Sequence, residues 1–102
     1  MEPYNIQTPN SSTFETLIQG SNITISKEVI KRIISNLDTK DSKIHILEVY
    51  FTDDGDVLDV RLDRKEFISS LELNLKTLEK FQEYEECAKA VKAINYLKQK
   101  KS

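Results

Sequence analysis

The chain has two glycines, two prolines, one cysteine, one histidine and no tryptophan. Each scarcity removes a class of function. A lone Cys87 excludes an internal disulfide and suits a reducing, cytoplasmic setting. His45 is the single histidine, and no cysteine pair stands at ligand spacing, so the usual zinc signatures are absent. Gly20 and Gly55 lie far apart, which leaves no glycine-rich phosphate loop. No Ser-His-Asp or Cys-His constellation is readable, and no set of polar groups suggests a reaction centre. Met1 is followed by polar residues and no apolar run is long enough to span a bilayer, so neither a secretory leader nor a membrane partner is expected. Fifteen Lys and Arg against 17 Asp and Glu give a net charge of −2, too balanced for a strong general nucleic-acid field. A non-enzymatic protein without cofactor or metal is the expectation.

What is present is a chain of 102 residues, one domain long, with a strong hairpin signal at its centre. Lys43 to Asp63 carries two β-branched and aromatic runs around Asp54-Gly55. Asp-Gly suits a two-residue type I′ turn, because both central residues need positive φ. Counting outward from that turn, Phe51 faces Leu58, Val49 faces Val60 and Leu47 faces Leu62, all on one side. The other side pairs Thr52 with Val57, Tyr50 with Asp59, and Glu48 with Arg61. Two strands alone are marginal in water, so helices must cover the apolar side.

The flanking segments supply them. Residues 1–11, with Pro3 and Pro9, read as a mobile tail. Ser12 to Glu15 forms a capping-box pattern before a short helix near 13–19, with Gly20 as its left-handed stop. Ser26 reads as the N-cap of a helix over 27–37 with Val29, Ile30, Ile33, Ile34 and Leu37 on one stripe and Arg32 off it. Residues 38–42 are a polar connector. After the hairpin, 64–82 reads as a helix with Phe67, Leu71, Leu75, Leu78 and Phe81 on one face and Leu73 nearly opposite. From Tyr84 a second helix places Tyr84, Cys87, Ala88, Val91, Ile94 and Leu97 on one face and Lys89, Lys92 and Tyr96 on the other. No breaker separates the two, so they read as one continuous rod or as a helical hairpin turning near Gln82-Glu83; the hairpin is preferred, because a rod would need a partner along its whole apolar stripe. The expected fold is α+β: residues 1–11 as tail and 12–102 as one domain of two short N-terminal helices, one β-hairpin and a C-terminal helical hairpin.

Tyr84-Glu-Glu-Cys-Ala88, followed by Ala93-Ile94 and Leu97-Lys98, resembles the UVR motif over about the last thirty residues. That motif is the helical hairpin of bacterial excision-repair and arginine-kinase activator proteins. The resemblance implies that Tyr84-Glu85 start the second helix, that Cys87, Ala88 and Ile94 fill its seam, and that the segment is a protein-interaction module. The chain reads Ala90-Val91-Lys92 where the family carries Leu-Arg-Asp.

The candidate functional residues follow from what this fold leaves outside. His45 reads as a strand-end residue on the core-facing side, Cys87 as a small buried hydrophobe, and Asp53, Asp54 and Asp56 as solvated turn residues. Tyr50, with Ile44 and Ile46, lies on the hairpin face away from the expected core, and Leu73 lies off its helix stripe. With Glu48 and Arg61 they make a candidate partner-binding surface, for another protein or for a second hairpin paired edge to edge into a homodimer. The leading function is a small protein-interaction or regulatory module, of the size of an inhibitor carried by a phage or other mobile element. The alternative is a nucleic-acid accessory protein using Lys89, Lys92, Tyr96 and Lys100, which interleave positive charge with an aromatic ring.

Overall fold

A computed structural model describes residues 3–19 and 22–100. In chain order these form β1 (Tyr4–Thr8), α1 (Ser11–Gln19), α2 (Ile23–Ser35), β2 (Lys43–Phe51), β3 (Val57–Asp63), a 3-10 turn (Arg64–Glu66), α3 (Phe67–Lys80) and α4 (Tyr84–Lys100). The class is α+β as expected. The sheet has three strands rather than two, in the order β1-β2-β3.

The added strand comes from the segment read as a tail. Tyr4, Ile6 and Thr8 alternate with Asn5 and Gln7, which is strand period, and Pro3 and Pro9 bound it where no ladder N–H is needed. β1 runs parallel to β2 with Ile6 beside Val49, and Ile6 and Thr8 are buried.

The β2-β3 hairpin forms, but its register differs from the expected one. Val49 pairs with Leu58, Leu47 with Val60, and Glu48 with Asp59. The turn is longer than two residues: Phe51 N–H donates to Asp56 C=O at 2.9 Å and Gly55 N–H to Phe51 C=O at 2.8 Å, enclosing Thr52 to Gly55. The cause is β1. Thr52 and Asp53 N–H groups donate to Thr8 and Pro9 carbonyls at 2.9 and 3.0 Å, so the end of β2 is drawn toward β1 before it can pair further with β3. Gly55 still takes the positive φ, +79°, and Asp54 accepts from the Asp56 N–H at 3.0 Å. A slide of two positions keeps the same residues inside while changing every partner. The expected pairs Phe51–Leu58, Tyr50–Asp59 and Glu48–Arg61 are therefore replaced.

A second irregularity lies between His45 and Leu47, where Ile46 is the extra residue of a β-bulge. The bulge reverses parity. Ile44 and Ile46, expected on the outer face, join Leu47 and Val49 in the core, and His45, expected inward, turns outward opposite Arg61.

The helices lie against the inner face and close one core, in which Ile30, Ile33, Val49, Phe67, Leu71 and Leu78 are essentially inaccessible. α1 starts one residue after Asn10, whose side chain accepts the Thr13 N–H at 2.9 Å; the Ser12 cap is not used. α2 starts at Ile23, capped by Asn22 accepting from Ile25 N–H at 3.0 Å, so Ser26 is an interior, buried residue. Gly20 lies outside the described residues. Arg32, read as off the stripe, is buried, pairs with Glu28 one turn earlier and stacks 5.7 Å from the Tyr4 ring centroid. The arrival of β1 is what covers it. α3 and α4 meet through a turn in which Gln82 adopts φ +58°, the break expected near Gln82-Glu83. α4 is rotated from the expected face. Ala90, Ala93 and Ile94 are buried with Cys87 and Leu97 beside them, while Tyr84 and Val91 are exposed. Small residues at the seam let α4 sit close to its neighbours.

Candidate functional site

With the helices on one side, the other side of the sheet is open. Its rows follow from the register. Asn5, Glu48 and Asp59 stand across the three strands, Gln7, Tyr50 and Val57 form the next row, and His45 lies beside Arg61. Asn5, Gln7, Tyr50, Val57, Asp59 and Arg61 are all exposed. Tyr50 leans toward the turn, and a side chain at Gly55 would start 3.9 Å from its hydroxyl.

The corrected register sets Glu48 opposite Asp59, a like-charge pair that costs stability where it stands alone. His45 lies beside this pair, with its Nε2 3.2 Å from Asp59 Oδ1. Ligand atoms of His45, Glu48 and Asp59 lie within 4.8 Å of one another, the one such group among the described residues. One imidazole and two carboxylates are donors that suit a transition metal. His45 Nε2 is buried there and has no hydrogen-bond partner among the described residues.

β3 is an edge. Among the described residues no strand lies beyond it, and its main-chain groups alternate in direction. Asp56 C=O and Arg64 N–H both bond toward β2, the latter to Ser42 C=O at 2.8 Å. Even-numbered residues therefore point inward, and Val57, Asp59 and Arg61 turn their N–H and C=O groups to the free side. The edge is apolar as well: Val57 is 56 % exposed and Leu58, on the core side of the sheet, is still 41 % exposed. The helices do not reach far enough to cover it.

Of the four residues expected to bind a partner, Tyr50, Glu48 and Arg61 share this open face. Leu73 does not join them. It is 68 % exposed on α3, in the helical layer, beside the less exposed Ile18 of α1. Val57, Leu58 and Asp59 complete the edge and were not singled out from the sequence, although a strand followed only by helices has nothing after it to pair with.

The basic candidates are largely matched by acids. Lys89 lies 3.4 Å from Glu86, Lys100 lies 3.9 Å from Asp38, and Tyr96 donates its hydroxyl to the same Asp38. That hydrogen bond, with some burial and the Asp38 charge, raises the Tyr96 pKa. Lys92 shares a shallow hollow with Ile34, Leu37 and Tyr96. Cys87 is half-buried; burial, reinforced by Glu79 and Glu83, raises its thiol pKa and makes it a poor nucleophile.

A hollow of about 530 Å³ lies between the ends of α2, α3 and α4 and has Leu37, Ile68 and Leu97 on its walls and Lys40, Arg64, Lys65 and Lys100 on its rim. Arg64 donates to the carbonyls of Asp41 (2.8 Å), Leu37 (3.3 Å) and Asn36 (3.0 Å) and to Thr39 Oγ1 (2.7 Å). Its donors close the end of α2, so this hollow is chiefly a clamp on the 36–42 connector.

Among the described residues no helix is long and apolar enough to cross a membrane. Compared with family models, with curated proteins and with solved structures, the chain matches none.

Proposed function

We propose that the chain is a small non-enzymatic interaction module that works by strand addition at β3. The observation that carries this reading is the free seven-residue edge, with outward main-chain groups at Val57, Asp59 and Arg61 and uncovered side chains at Val57 and Leu58. An added strand pairs those groups, which gives affinity, while side-chain rows on both faces give selectivity. The other edge is a poorer acceptor, since β1 has five residues and is bounded by Pro3 and Pro9. Acid pairing of Lys89, Lys100 and Tyr96 supports this reading over nucleic-acid binding by α4. Regulation or inhibition of a protein partner is the corresponding biological role.

The test is a selection of random peptides on the purified chain, scored against Arg61→Pro. That substitution removes one outward N–H and no bond to β2. Strand addition predicts extended, β-branched peptides whose binding falls about tenfold in the variant. Peptides that bind both proteins equally, or a selection that yields none from protein held monomeric, would overturn it.

A further inference from the structure

The edge is complementary to itself. We infer that the strand added to β3 is β3 of a second copy, antiparallel, with the two-fold axis through Val60. The inference rests on the strand-addition reading and names its partner.

Three constraints select this arrangement. The first is hydrogen bonding. Outward groups belong to odd-numbered residues, so odd residues must face odd residues across the new seam. With Val60 on the axis, Asp59 faces Arg61 of the second copy, both outward-bonding, and Val57 faces Asp63.

The second is overlap. Val60 is the midpoint of Val57–Asp63, so the whole strand is paired. Leu58 then lies opposite Leu62 of the second copy on the inner face, and the two Val60 side chains meet at a close, non-hydrogen-bonded position. This covers the apolar surface that the helices leave open.

The third is charge. Arg61 has no carboxylate partner in its own chain among the described residues. On the axis chosen it meets Asp59 of the second copy, and the symmetry makes that contact twice. Neighbouring registers fail. Centring on Asp59 opposes two aspartates, and centring on Arg61 opposes two arginines and sets Asp59 against Asp63. Centring on Leu62 joins Arg61 to Asp63 but overlaps only the strand's end, because the chain turns away at Arg64, and leaves Val57 and Leu58 open. The result is one continuous six-stranded sheet, two copies of a three-stranded one.

Sedimentation equilibrium on the full chain and its charge variants tests this. The wild type is expected to show twice the 11.8 kDa chain mass as concentration rises. Asp59→Arg alone and Arg61→Asp alone each turn two attractive contacts into repulsive ones and are expected to weaken association about tenfold or more. Mixing these two variants restores opposite charges at both contacts, so a heterodimer of wild-type strength is expected. A variant that had merely misfolded would not be rescued in this way. In a Cys87→Ala background, Val60→Cys is expected to cross-link to itself on mild oxidation, since the paired positions lie within disulfide reach.

A wild type that stays monomeric at millimolar concentration overturns the inference, and the peptide selection then decides separately whether β3 accepts another strand. A dimer unmoved by the charge variants and by Arg61→Pro places self-association elsewhere and overturns the inference, while the peptide selection again decides the strand-addition reading.

Discussion

Arg64 closes the end of α2. Its guanidinium reaches Asn36 and Leu37 carbonyls, Asp41 and Thr39, and lies 4.9 Å from the Phe67 ring centroid. A planar fork makes these contacts together, and an ammonium cannot. Arg64→Lys is therefore expected to cost about 2 kcal/mol in urea unfolding although the charge is kept. A loss below about 0.5 kcal/mol would mean that the connector holds its shape without the fork. Tyr96 offers a pH readout. Its folded-state pKa is raised, chiefly by the hydrogen bond to Asp38, so what that bond contributes is complete below the unfolded tyrosine pKa of about 10 and is lost as pH climbs through the raised value. Tyr96→Phe is expected to lose the bond at neutral pH and to flatten the alkaline limb of the stability curve. An alkaline limb identical to wild type would show that the link to Asp38 carries no stability.

At the scale of elements, the bulge at Ile46 decides which residues do chemistry and which only pack. A straight strand would send Ile44 and Ile46 outward with Tyr50; the bulge places them inward and exposes His45. Ile46→Asp is expected to cost about 3 kcal/mol or more, an unpaired charge in the core, whereas Tyr50→Asp is expected to cost less than about 1 kcal/mol. Equal costs in chemical denaturation would mean a regular strand. The amphipathic stripe of α2 and the inward sets Leu47/Val49 and Leu58/Val60/Leu62 were legible, because each is stated by local period; the break at Gln82 has no glycine or proline to announce it and was expected only because one long rod would need a partner along its whole apolar stripe. The bulge was not, since no residue type announces it. The turn length was not either: Asp54-Gly55 alone favours the shorter loop, and only β1, brought from the other end of the chain, makes the longer one favourable. β1 itself was legible in the alternation of Tyr4, Ile6 and Thr8, but two prolines masked it. On α4 the apolar residues Tyr84 and Val91 drew the expected face around, whereas small Ala90 and Ala93 are what the seam holds. Of the candidate surface, Tyr50, Glu48 and Arg61 were found together; Leu73 belongs to another side of the molecule, and Asp59 was missed because the expected register gave it Tyr50 as neighbour.

For the whole molecule, the helical layer covers the sheet unevenly. The core is sealed around β2, while β3 keeps half-covered leucines and valines along a free edge. Natural edges of this kind are usually blocked by lysine, proline or a covering loop, and β3 has none of these within its seven residues. In the proposed dimer the two central charges of β3, Asp59 and Arg61, would select the register. In the proposed dimer self-association would belong to the sheet rather than to the helices, and the surface at Leu73 and Ile18 would stay outside it. Residue-resolved amide hydrogen exchange, followed as protein concentration is raised, tests this most directly. The amides of Val57, Asp59 and Arg61 are expected to gain protection with concentration while those of Leu58, Val60 and Leu62, already bonded to β2, hold constant; odd and even amides responding alike, or no response at any concentration, would contradict the account.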